Sequence, residues 1–207
     1  MLSIFVKKHK ERNIFLLLLS LLFCSWMNPA DLLSILAVVL FTFFYGRLLE
    51  SRKSKRILVF GITVLAGVLS FYKYGRYIFP LFVYSMPLGL SFITFEAISY
   101  LVDTYKGEVN GRSNLLEVSL YLMLFSHITS GPILKYDKVV DQLRSDESGS
   151  GKREGFQRFI LGLSKKVLLA NSLSVLSDKV FSYNVHYLQV NIAWIGIVAF
   201  ALQLYFD

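Results

Sequence analysis

The chain has 207 residues, 55% hydrophobic and 17% charged, with a mean hydropathy of +0.54 and a formal charge of +8. The apolar residues are gathered in runs with the charges between them, which excludes a soluble globular domain and points to a polytopic membrane protein. The single cysteine, Cys24, excludes a disulfide framework and reads as a small buried hydrophobe, and the basic excess reads as loop topology, not nucleic-acid binding.

The first apolar run, Asn13 to Met27, follows Lys7, Lys8, Lys10 and Arg12. It has no small-residue cleavage site and a second run follows closely, so no cleavable leader is expected. The turn Asn28-Pro29-Ala30-Asp31 carries no basic residue. The second run, Leu32 to Leu49, leads into Arg47, Arg52, Lys53, Lys55 and Arg56. By the positive-inside rule the N-terminus and the 47–56 segment are cytoplasmic and the Asn28 turn is outside.

The third run spans Ile57 to Tyr72. The fourth, Tyr77 to Val102, holds Pro80 and Pro87, and the fifth, Leu115 to Leu134, ends at Gly131-Pro132. If all five cross once, the stretch with Lys135, Lys138, Arg144, Lys152, Arg153 and Arg158 lies outside, whereas its charge places it inside. One run therefore does not cross simply. Gly131-Pro132 makes the fifth the first suspect, as a re-entrant or broken helix, which is tolerated only where protein or water covers the backbone. The alternative is a fourth run split at Pro80 and Pro87.

Residues 145 to 155 form a flexible polar loop. From Phe156 to Ala170 the apolar positions Phe156, Phe159, Ile160, Leu163 and Val167 recur at helical spacing, with Arg158, Lys165 and Lys166 opposite. This reads as an amphipathic helix in the membrane interface, its lysines near anionic headgroups, or equally as a solvated helix packed on the protein. A last apolar run starts near Val190. The whole is read as one all-α transmembrane region, 1–207.

Two places carry chemistry. Within PLGLSFITFEAISYLVDTYKG, residues 87 to 107, Pro87 is suited to begin a helix, and Glu96, Ser99 and Asp103 then share one face. A carboxylate in an apolar run faces the protein interior or a water-filled cavity. Glu96 is read as the lining of a substrate path or as a structural hydrogen bond or ion pair with a lysine or arginine of another helix, and Asp103 as a helix-end or loop residue. Within FSHITSGPILKY, residues 125 to 136, His127 has no metal partner at ligand spacing, since His9 and His186 lie far off. It is read as a hydrogen-bonding post that staples a broken helix to its neighbour. No phosphate loop, dinucleotide fingerprint, nucleophile elbow or HExxH is present.

These two blocks, then FYKYGRYIF, GFQRFILGLSKKVLLANSLSVLSD and AWIGIVAFALQLYFD, resemble the membrane-bound O-acyltransferase family, above all its alginate-acetylating branch. The resemblance covers Arg12 to Asp207 and is to the N-terminal half of such proteins. That branch has proline where this chain has Ser126, and it has His-…-Gly-Pro and a basic residue at His127, Gly131, Pro132 and Lys135.

The resemblance implies a multi-pass protein of a bacterial cytoplasmic membrane with no bound cofactor. It implies a thioester donor (acetyl-CoA or an acyl carrier), an extracytoplasmic polysaccharide or cell-wall polymer as acceptor, and other glycan-acetylation proteins as partners. The family's catalytic histidine belongs to a Trp-Arg-Arg-Trp-His-type segment that these residues do not contain. No residue is therefore assigned as catalytic, and residues 1–207 alone are expected to show no transfer. Glu96, Ser99 and His127 are expected in the polar core or path, and Lys165 and Lys166 facing donor or lipid. A transporter or channel fragment, with Glu96 as its ionisable site, and a non-catalytic scaffold are the rival readings.

Overall fold

In the computed structural model the described residues are 9–27, 29–78, 86–109, 114–128, 131–145, 151–183 and 188–207, and no strand occurs among them. Asn28, Pro80, His186 and residues 146–150 of the polar loop lie outside the described residues. The chain forms an all-α membrane protein that divides into two compact units, Met1–Asp146 and Glu147–Asp207.

The first unit holds α1 (His9–Met27), α2 (Pro29–Arg52), α3 (Lys55–Ile78), α4 (Leu90–Lys106), α5 (Leu115–Met123) and α6 (Tyr136–Arg144). Pro29 opens α2, at the one helical position where a missing N–H costs nothing. Asp31–Arg52 and Lys55–Gly75 are long and apolar enough to cross a bilayer. α4 packs on both α2 and α3. Its Leu90, Ile93, Ala97, Tyr100 and Leu101 are buried, and Gly46 of α2 lets Tyr100 approach so closely that an added Cβ would fall 2.6 Å from its ring. The fourth run is therefore helical from Leu90, three residues after Pro87, whose carbonyl accepts from the Leu90 N–H at 3.2 Å.

α4 ends in a left-handed glycine, Gly107 (φ 77°). Its N–H bonds the Thr104 carbonyl and the Glu108 N–H bonds that of Asp103, a Schellman closure.

The fifth run departs from its expected shape. Helix α5 stops at Met123, well before Gly131-Pro132. At nine residues it is about 13 Å long, too short for a hydrocarbon core of about 30 Å. Four contacts then show where the chain goes. A Cβ on Gly107 would lie 3.7 Å from Lys53 Nζ, so α4 ends beside the turn between α2 and α3. Lys135 Nζ donates to Glu108 Oε2 at 2.7 Å. Arg144 donates twice to Glu117 of α5's first turn. Arg12, at the start of α1, donates to the Leu143 carbonyl at 2.8 Å and to those of Gln142 and Ser145 at 3.3 Å.

The start of α1, the α2–α3 turn, the end of α4, the start of α5, Lys135 and α6 therefore share one face. The described residues 115–128 leave that face and 131–135 return to it, as a re-entrant hairpin. This resolves the charge conflict for the residues of this unit: the basic Lys135, Lys138 and Arg144 sit on the same face as Arg12 and Arg52. The hairpin's helical limb α5 packs on α1, α2 and α4, whereas residues 131–135 of the returning limb are exposed. Lys135 and Glu108 are exposed, and the ammonium holds the Glu108 carboxyl below its ordinary value. As a surface pair it adds little stability.

In the second unit helix continues without a break through α7 (Lys152–Ser164), a π-helical segment (Lys165–Ala170) and α8 (Asn171–Phe181). The amphipathic stretch thus begins within the polar loop, at Lys152, and runs eleven residues beyond Ala170. Arg153–Phe181, at 29 residues, has the length and composition of a third span. α9 (Val190–Phe206) runs antiparallel to α8: Gly196 meets Val180, Phe181 meets Phe200 edge-on, and Ser177 Oγ donates to Gln203 Oε1 at 2.9 Å. Trp194, Ile197 and Leu204 of α9 are exposed, as on a lipid-facing helix.

Candidate functional site

The re-entrant hairpin explains why α5 breaks at Leu124. A continued helix would pair the Phe125 N–H with the Tyr121 carbonyl. Instead the Phe125 N–H bonds Ser20 Oγ, about halfway along α1, at 3.2 Å. The Tyr121 carbonyl accepts from His127 Nε2 at 3.1 Å. A side chain on another helix and an imidazole six residues ahead thus satisfy the groups a helix end exposes. The Leu124 carbonyl accepts from the N–H of both His127 and Ile128, which closes the tip. Tip and α4 meet at Gly89 (φ 75°), where an added Cβ would stand 2.4 Å from the Ile128 carbonyl oxygen.

Glu96 faces this tip. Its Oε1 lies 3.5 Å from His127 Nε2, and its side chain is 1% exposed against 18% for His127. The neighbour is not the lysine or arginine expected on another helix but this histidine, 31 positions ahead on the hairpin. Phe92 meets the imidazole edge-on at 6.1 Å. At 1.5 Å per residue Glu96 sits about 15 Å from the Lys106 end of α4, about half the thickness of a bilayer's hydrocarbon core.

The other residues of that face follow in register toward the hairpin's mouth. Ser99 lies beside the Tyr121 phenol, whose O–H donates to the Leu134 carbonyl at 2.8 Å and ties the returning chain to α5. Asp103 is buried near the mouth, where Lys135, Glu108, Lys106 and Asp137 act on it. A polar seam, Glu96–Ser99–Asp103, therefore runs along α4 inside the hairpin, with His127, Tyr121 and Lys135 opposite. Glu96, Ser99 and His127 come together.

Lys165 and Lys166 are in the other unit. Lys166 ion-pairs with Asp207, while Lys165 is exposed. Among the described residues no group of three His, Cys, Asp or Glu side chains is placed to hold a metal.

Sequence reasoning missed Ser20, Tyr121, and the Arg12 and Arg144 contacts. Ser20 and Tyr121 stand in apolar runs like any helical residue, and nothing in composition marks a carbonyl that will be capped from elsewhere.

No protein-family model matches the chain, and no solved structure gives a significant match. Curated relatives do. The probable alginate O-acetylase AlgI of Pseudomonas aeruginosa is 31% identical over 98% of the chain and 43% of its own length. That of Azotobacter vinelandii is 31% identical over 96% of the chain and 44% of its length. A peptidoglycan O-acetyltransferase of Helicobacter pylori is 24% identical over the whole chain and 47% of its length. The chain thus spans less than half the length of these relatives. Over nearly all of its own length the chain is similar to alginate O-acetylases, consistent with the branch that its sequence blocks resemble.

Proposed function

We propose that these residues are the N-terminal part of a membrane-bound O-acyltransferase that moves an acetyl group to the hydroxyls of an extracytoplasmic polysaccharide or cell-wall polymer. The observation that carries this is the 31% identity to alginate O-acetylases along 98% of the chain. The buried polar seam supports it, because mid-depth carboxylate and imidazole groups mark paths for polar substrates. On this reading the face that bears Arg12, Arg52, Lys135 and Arg144 is cytoplasmic, since it gathers the basic residues. A thioester such as acetyl-CoA or an acyl carrier delivers the acetyl group there. Glu96, Ser99 and His127 line the route across, and the bond-making base lies outside residues 1–207. Lys165 contacts anionic lipid or donor at the membrane surface, and other glycan-acetylation proteins take part in the reaction's setting.

The test is acetyl transfer from a labelled thioester donor to a polysaccharide, by the intact protein in vesicles and by residues 1–207 alone. Transfer by the first and none by the second is expected. No transfer by the intact protein to any hydroxylated polymer, or His127-dependent transfer by residues 1–207, overturns the reading.

A further inference from the structure

His127 presents its two ring nitrogens to different surroundings. Nε2 faces two oxygens, the Tyr121 carbonyl at 3.1 Å and Glu96 Oε1 at 3.5 Å. A carbonyl only accepts, so the hydrogen belongs on Nε2, a tautomer assigned from its neighbours. Nδ1 of the neutral ring is then a lone-pair acceptor. It makes no hydrogen bond among the described residues, and the side chain is 18% exposed whereas Glu96 beside it is sealed. Glu96 is nine-tenths buried and more, and neither of its oxygens has a hydrogen-bond partner among the described residues, the Nε2 contact at 3.5 Å being a charge contact only. Such a carboxylate is costly at mid-depth unless it serves a neighbour. Beside Nε2–H it fixes the ring's orientation and tautomer, as carboxylates do for imidazoles bound to metals or acting as bases.

We propose that His127 Nδ1 is a hydrogen-bonding subsite for an alcohol hydroxyl, and that Glu96 is its positioning residue. The chemistry selects the ligand. A lone pair beside a buried carboxylate welcomes a neutral O–H donor such as a sugar hydroxyl. It repels ester and thioester carbonyls and carboxylates, which bring only acceptor oxygens. The proposal deepens the acetyltransferase reading, on which it rests for the identity of the alcohol: the hairpin tip holds the acceptor and not the acyl donor.

The test uses the intact protein in detergent with His9 and His186 replaced by Gln, and reads carbethoxylation of His127 by diethyl pyrocarbonate with mass spectrometry. His127 should be modified in the folded protein. A neutral hexose oligosaccharide should slow this, and the same sugar with every hydroxyl acetylated should not. Glu96→Gln should keep the melting temperature and slow the modification about tenfold, through loss of the carboxylate's hold on the ring's orientation and tautomer.

Four outcomes overturn the subsite: no modification of folded His127, no protection by the sugar (the signature of a site that holds only water), equal protection by the acetylated sugar, or an unchanged rate in Glu96→Gln. Acetyl transfer measured on the same preparation separates the two ideas. Protection without transfer removes the acetyltransferase reading and leaves the subsite, and transfer without protection does the reverse.

Discussion

Gly89→Ala will lower the stability of the first unit by about 3 kcal/mol, of which the left-handed backbone contributes about 1–2 and forced repacking about 1–3. The cause is local and double. Gly89 sits at φ 75°, a region closed to most side chains, and its missing Cβ is the space in which the Ile128 carbonyl rests at 2.4 Å. The neighbour is backbone, which cannot rotate away as a flexible side chain can. The strain falls on the contact that holds the hairpin tip against α4, so Glu96 and His127 should separate along with it. A melting midpoint roughly 10 °C lower is expected. Gly67→Ala, in the middle of α3 with nothing within 4 Å of the new methyl, is the control and should be neutral or slightly stabilising. If Gly89→Ala melts with the wild type, the hairpin tip does not sit where it is described.

Arg144→Ala should cost about 2 kcal/mol, short of the full penalty for a buried pair because the arginine is half-exposed. Its guanidinium meets Glu117 in fork geometry, Nε to Oε1 at 2.8 Å and Nη2 to Oε2 at 2.9 Å. Glu117 is largely buried and also accepts from the Asn114 N–H at 3.4 Å, so it caps α5 while it holds α6. Removal of Arg144 strands this carboxylate under the bundle. A double replacement by leucine removes the charge along with its partner and should recover most of the loss. The measurement is a double-mutant cycle on melting free energy. Losses from the two single variants that simply add would mean the pair is decoration and α6 is held by Arg12 and packing alone.

How far this architecture was legible depends on the range of the forces behind it. Helices α1 to α3 follow from apolar runs and basic flanks, because a spanning helix satisfies its own backbone and needs no distant partner. The i, i+3, i+7 placement of Glu96, Ser99 and Asp103 on one face also follows from spacing alone, and the structure keeps it.

The end of α5 does not. Leu124 to Leu134 mixes apolar residues with Ser126, His127, Gly131 and Pro132, but nothing in it signals that Ser20, 105 positions away, takes the Phe125 N–H. Gly131-Pro132 lies beyond the end of α5, which stops at Met123. The Glu96 partner was sought among lysines and arginines because charge invites charge. The histidine that fills the place is brought there by the hairpin, and neither its ring nor the Tyr121 carbonyl signals that geometry in sequence. Lys166 likewise reads as a free surface cation until Asp207, on α9's far end, is set beside it.

The re-entrant path is the foundation of the site, since the hairpin's tip carries His127 to Glu96. It is tested most directly by impermeant maleimide labelling of single cysteines in a Cys24→Ala background, on intact cells and on inside-out vesicles. Arg52→Cys, Glu108→Cys, Lys135→Cys and Ser145→Cys should all label from the same side of the membrane. Labelling of positions 108 and 135 from opposite sides would mean that residues 115–135 cross, and would contradict the account.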